Sequence, residues 1–121
     1  MSYKDLKPES YWIATTEGPS FPSIENDISA DVAIIGGGLV GLTTAYLLKK
    51  EGVKTVIIEA NRIAEGTSGH TTAKITSQHV LIYNDIKKQL GKELAEQYAR
   101  ANEFAIKAIA DIAKENNIEC D

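Results

Sequence analysis

The sequence predicts an α/β fold in which one βαβ unit, incomplete as a sheet, is followed by a long amphipathic helix. Three observations carry that prediction. A continuous apolar run, 31-DVAIIG-36, leads into glycines at 36-GGGLVG-41, a helical pattern, and a second apolar run, 53-VKTVIIE-59. Glycine and hydroxyl residues then displace apolar ones over 65-EGTSGHTTAKIT-76. From residue 92 to 117 apolar side chains recur at three- and four-residue intervals, the period of a helix with one packed face.

Residues 1–29 hold all three prolines, Pro8, Pro19 and Pro22. Proline fixes φ and removes a donor, so this segment is expected to be an arm with extended and turn conformations. Its Tyr11-Trp12-Ile13 cluster is expected to anchor the arm by burying apolar surface. Residues 30–121 read as part of one domain. The run at 31–36 is short, unbroken and closed by glycine, as for a strand covered on both faces. In 39-LVGLTTAYLLKKEG-52, Val40, Ala45, Leu47 and Leu48 give a helix its apolar side, lysines fill the last turn and Gly52 stops it. The second strand, 53–59, follows at once, so the two strands should be parallel and joined by a right-handed crossover. A further helix is expected from Tyr83 to Leu90, and Gly91 separates it from the long helix. There Leu94, Tyr98, Ala101, Ala105, Ile109 and Ile112 form the apolar face. The closing 118-IECD-121 has the look of a strand beginning.

Composition narrows the possible roles. The 121 residues are 43% hydrophobic and 25% charged, as in an ordinary globular domain. Thirteen basic residues against seventeen acidic ones give a net charge of -4, and no basic cluster is interleaved with aromatics, which argues against nucleic acid as a partner. The first ten residues lack a signal-peptide pattern, and no apolar run approaches the ~20 residues of a membrane helix. A cytoplasmic protein without a membrane partner is expected. Cys120 is the single cysteine, so there is no internal disulfide, and with His70 and His79 it makes no zinc spacing. It reads as a small core residue.

Gly36, Gly38 and Gly41 fit G-x-G-x-x-G between a strand and a helix. The first permits the tight turn, the second lets the backbone approach a pyrophosphate, and the third lets the helix pack on the sheet. Amides at the helix start, aided by its dipole, meet phosphate charge. Glu59 ends the second strand eighteen residues past Gly41, where a carboxylate can accept both hydroxyls of an adenosine ribose and disfavours a 2′-phosphate. The reading is thus a Rossmann-type FAD/NAD(P)-binding fold. The small, hydroxyl-rich stretch behind Glu59 favours FAD, whose pyrophosphate and ring need many close backbone contacts.

The segment 31-DVAIIGGGLVGLTTAYLLKKEGVKTVIIEANRIAEGTSG-69 resembles the amino-terminal FAD-binding segment of the D-amino acid oxidase and glycine oxidase superfamily. More narrowly, 68-SGHTTAKITSQH-79 and residues 91–121 resemble the branch whose members carry a Rieske iron–sulfur domain at the carboxyl end. The resemblance implies main-chain contacts to FAD phosphates from Gly36, Gly37, Gly38, Leu39, Val40 and Gly41, and a ribose contact from Glu59 with Ala60 beside it. It places Arg62 near the adenosine and phosphates, Thr67 and Ser68 along the pyrophosphate, and Thr72, Ala73 and Lys74 along the flavin. At 71–74 the chain departs from relatives that have glycines and an uncharged residue there. Some relatives bind flavin covalently through a histidine in this loop, but His70 is read as hydrogen-bonding locally or facing water, and His79 as structural.

Two strands and a helix leave sheet edges unpaired, so the chain reads as the front of a longer flavoprotein, truncated before the substrate domain. No residue reads as catalytic and none as a metal ligand. The resemblance implies oxidation of a C–N bond of a small-molecule amine or amino acid by hydride transfer to FAD. A Rieske [2Fe–2S] centre would lie in the missing carboxyl-terminal part, because one cysteine cannot supply the two it needs. A stand-alone nucleotide-binding module without catalysis, or a fragment of an NAD-dependent dehydrogenase, are the alternatives.

Overall fold

A computed structural model describes residues 9–120. Pro8, and Asp121 at the end of the expected strand start, lie outside the described residues. The chain divides after Thr72 into two units.

In the first unit, β1 (Val32–Ile35) and β2 (Thr55–Ile58) pair in parallel, with Val32 opposite Thr55 and Ile35 opposite Ile58. Both strands are mostly β-branched residues, which suit a pleated, half-buried surface. The ladder runs on into the glycine turn, where the Gly36 amide donates to the Ile58 carbonyl at 2.8 Å. Between the strands α2 (Leu39–Lys50) packs against both. Gly52, at φ 78°, ends it with a Schellman closure: its amide donates to Lys49 O and that of Val53 to Leu48 O, each at 3.0 Å, which satisfies two carbonyls that a helix end would leave open.

Three expectations for this unit are corrected. β1 is not covered on both faces: Ile35 is 79% exposed, because α2 shields one side of the strand pair. The packed side of α2 is rotated from the expected one. Gly41, Ala45 and Leu48, spaced i, i+4, i+7, turn inward, while Val40 and Leu47 are exposed. The close approach at Gly41 sets that phase. Finally, the arm contains a short helix, α1 (Tyr11–Thr15), ahead of Pro19 where no proline interrupts it. Of the expected anchoring cluster only Ile13 is half-buried, while Tyr11 and Trp12 are 69% and 42% exposed, and polar contacts described below hold the arm instead.

The second unit is a helical hairpin. α3 (Ile82–Leu90) ends at Gly91, whose φ of 92° is open to glycine at no steric cost, and α4 (Lys92–Glu115) follows at once. Ala95 is buried, and the Tyr98 ring meets Tyr83 and His79 edge-on at centroid distances of 5.7 and 6.3 Å. His79 thus has the structural surroundings expected of it. The packed face of α4 is rotated from the expected one, with Ala99, Asn102 and Ile106 half-buried beside Ala95. Tyr98 and Ile112 are half-buried, whereas Leu94, Ala101, Ala105 and Ile109 are exposed, as is Phe104. Nine residues of α3 cannot cover the 24 of α4. Residues 118–120 form no strand, and Cys120 is exposed rather than in a core, since nothing packs on it after the helix has closed through Ile118 N to Ala113 O.

Candidate functional site

The glycine turn has a geometry that only glycine allows at two points. Gly36 sits at φ 102°, outside the range L side chains adopt readily. A Cβ on Gly41 would stand 2.0 Å from the Gly36 carbonyl oxygen. The turn and the first turn of α2 are therefore pressed together.

Gly38 occupies the N-cap position of α2 and has no side chain with which to cap it. That task falls to a residue far along the chain: the Leu39 amide donates to Ser68 Oγ at 2.9 Å. Ser68 lies in a 3₁₀ turn, Thr67–His70. Glu59, just past β2, accepts the Gly37 amide on Oε2 at 2.7 Å and the Asn61 amide on Oε1 at 3.0 Å. Hydrogen bonds from the Gly37 and then the Asn61 backbone hold its carboxyl below the usual range, against a smaller opposing effect of desolvation. The carboxylate thus ties the glycine turn to the end of β2. The Ala64 amide adds a second tie, donating to Gly37 O at 2.9 Å.

These ties surround a cavity of about 600 Å³. Gly38, Glu59 and Ser68 line it together with Asn61, Arg62 and the 64–67 segment. Arg62 pairs with Glu65 at 3.2 Å. The donor set suits a dinucleotide. The Ser68 hydroxyl and Gly38, a glycine without Cβ just ahead of α2, line the place for phosphate, and Glu59 keeps lone pairs beyond its two amide partners for sugar hydroxyls. A second cavity of about 420 Å³ lies between arm residues 19–28 and residues 56–63, and shares Glu59, Asn61 and Arg62 with the first.

Of the residues singled out in the sequence, Gly38, Glu59, Arg62, Thr67 and Ser68 meet at the first cavity, and Gly36, Gly37, Leu39 and Gly41 form or pin its turn. The Val40 side chain is exposed. Ala60 lines the second cavity. Thr72, Ala73 and Lys74 lie in exposed coil, with Ala73 at φ 54°. His70, read as bonding locally or facing water, does both: Nδ1 meets Gly66 O at 2.8 Å and the residue is exposed. Asn61, Ala64, Glu65 and Gly66 were not foreseen as lining. Asn61 had a local signal, since a carboxylate readily takes the amide two residues on. No described helix is long and apolar enough to cross a membrane, and the described residues hold no group of three or more candidate metal ligands.

A protein-family profile described as FAD dependent oxidoreductase matches residues 31–121. Among curated proteins, the chain is 47% identical over 94% of its length to YhfW of Bacillus subtilis, named as a Rieske 2Fe-2S iron-sulfur protein. It is 31% identical over 94% of its length to the oxidoreductase OrdL of Rhizobium meliloti, and 28% identical over 93% to gamma-glutamylputrescine oxidoreductase of Escherichia coli. The chain spans only 22%, 27% and 26% of those relatives. No solved structure matches it significantly.

Proposed function

Because the chain belongs to the FAD dependent oxidoreductase family, we propose that residues 30–121 are the amino-terminal part of the FAD-binding domain of a longer oxidoreductase. The observation that carries this reading is the convergence of Gly38, Glu59 and Ser68 on one cavity beside the start of α2. In this reading the main chain at Gly38 and the start of α2, together with the Ser68 hydroxyl, holds the pyrophosphate, the amides of Gly36, Gly37 and Leu39 being engaged within the turn, and Glu59 holds the ribose. Arg62 offsets phosphate charge, and Thr72, Ala73 and Lys74 run beside the flavin. FAD, when bound, supplies the hydride acceptance. The chain's own residues bind and orient it, and none of them is proposed as an acid, base or nucleophile.

The substrate is proposed to be an amine or amino acid oxidised at a C–N bond, in keeping with the likeness to gamma-glutamylputrescine oxidoreductase. The likeness to YhfW supports a Rieske [2Fe–2S] acceptor in the same polypeptide. Its two cysteine ligands would lie outside residues 1–121, which hold only Cys120.

The test is to express the complete reading frame, record the visible and low-temperature EPR spectra, and titrate the apoprotein with FAD. A flavin spectrum that Glu59→Ala weakens and Glu51→Ala, at the exposed far end of α2, spares is expected. Equal retention by the two variants would sink the ribose assignment. A flavin without a [2Fe–2S] signal would remove the Rieske acceptor and leave the FAD site standing.

A further inference from the structure

We propose that the N-terminal arm is a strap that positions the cofactor site, and that Ser10, Trp12 and Ile13 act through the turn bearing Ser68. This rests on the FAD reading above and adds to it a set of residues that touch no cofactor.

One turn of the arm makes three contacts, and all three land on residues 69–71. The Ser10 hydroxyl donates to the Gly69 carbonyl. The Trp12 indole Nε1 donates to Thr71 O at 2.8 Å. Ile13 packs against Gly69 so closely that a Cβ there would come within 3.2 Å of its side chain. Both hydrogen bonds join residues 59 apart in sequence, so they order the arm and the turn together.

Around the turn, Gly69 N donates to Gly66 O at 3.1 Å and Thr71 N to Ser68 O at 3.5 Å, the second at the limit of a useful hydrogen bond, and His70 Nδ1 meets Gly66 O at 2.8 Å. Yet from this turn Ser68 Oγ reaches across to the Leu39 amide, the donor at the head of α2. The position of that hydroxyl is therefore set on one side by Ala64 and His70, which bond to Gly37 O and Gly66 O, and on the other by the arm. Release of the arm would let residues 69–71 relax and draw Ser68 off the helix start. The pyrophosphate place would then lose a fixed hydroxyl and gain a mobile one.

Trp12 is the cleanest lever, because an indole has a single donor and Trp12→Phe removes it while keeping an aromatic ring. In the full-length apoprotein, Trp12→Phe is expected to weaken FAD binding about tenfold, followed by quenching of flavin fluorescence. Ser10→Ala should act in the same direction, and Ser10→Thr should restore affinity. Hydrogen exchange supplies a readout that general destabilisation would not localise. The Leu39 amide should exchange faster in Trp12→Phe, while the Gly36 amide, held by Ile58 O, should not. In a Ser68→Ala background the same Trp12 substitution should cost less than about twofold.

Wild-type affinity in both Trp12→Phe and Ser10→Ala, with Glu59→Ala impaired, would overturn the strap and leave the FAD reading intact. An undiminished effect of Trp12→Phe in the Ser68→Ala background would overturn the route through Ser68. If Glu59→Ala also binds FAD normally, the FAD reading itself fails.

Discussion

The two units of the chain solve opposite problems. In the first, exposed backbone donors around the glycine turn find partners in side chains from distant parts of the sequence. Glu59 takes the amides of Gly37 and Asn61, Ser68 takes that of Leu39, and the arm supplies Ser10 and Trp12 to the carbonyls of residues 69 and 71. In the second, the backbone groups of the two helices are satisfied inside them, and the packing of α4 leaves Leu94, Phe104 and Ile109 45%, 74% and 40% exposed, as Ile35 and Val40 of the first unit are at 79% and 81%. A polar site can be assembled within 72 residues because each hydrogen bond needs one partner. A hydrophobic face needs many neighbours at once. The difference implies that the geometry of the first unit depends on single side chains, and substitutions can test that directly.

The largest effect is expected at Gly41. Any side chain there must push α2 away from the Gly36 carbonyl, which a Cβ would meet at 2.0 Å. Gly41→Val should destabilise the fold by about 3 kcal/mol or more and leave the purified protein with less than about a tenth of its flavin. Thermal melting and the flavin-to-protein ratio measure both. A normal ratio would mean that the turn and helix are less tightly pressed than the structure has them.

Glu59→Ala comes next, with FAD affinity reduced roughly ten- to a hundredfold through loss of a charged acceptor. Glu51→Ala, an exposed carboxylate at the far end of α2 that lines neither cavity, should change affinity about twofold or less. The pH dependence has a definite sign. The Glu59 carboxyl is held below its ordinary value of 4.5 in the folded chain, so its contribution to stability is fully present above that value. It declines as pH falls below 4.5 and is gone once the pH passes the lowered folded value. Glu59→Gln should flatten this part of the acid-unfolding curve. A curve unchanged by the substitution would mean that the two amide bonds do not persist in solution.

Ser68→Ala should have a smaller effect, about 1 kcal/mol in apoprotein melting, as for a lost N-cap. This residue also shows where the sequence was legible and where it was not. The glycine turn, Glu59 and the order of elements were readable because their signals are local: a strand, a glycine motif, a helical period, a second strand. The bond from Leu39 to Ser68 joins residues 29 apart, and the arm's two bonds join residues 59 apart. Spacing does not encode such contacts. The resemblance placed Ser68 near the pyrophosphate, but not as the cap of α2. The inner face of α2 was misread for a related reason. Hydrophobicity favours Val40 and Leu47, but the phase of the helix is set by the glycine that touches the preceding turn.

The smallest effect is expected in the second unit, and it tests the other half of the comparison. Phe104 is 74% exposed while Ala95, on the same helix, is 8% exposed. In the 121-residue chain Phe104→Ser should therefore change stability by less than about 0.5 kcal/mol, as surface substitutions usually do. Ala95→Leu should cost about 1–3 kcal/mol by overpacking the contact with α3. Urea unfolding of the two variants gives both numbers. If Phe104→Ser proves as costly as Ala95→Leu, then α4 covers its apolar face in solution, by self-association or by repacking, and the contrast between a self-sufficient polar site and an unsatisfied helix face no longer holds. If the two separate as expected, the apolar strip of α4 contributes little within these 121 residues, and the order of the site rests on the hydrogen bonds of the first unit.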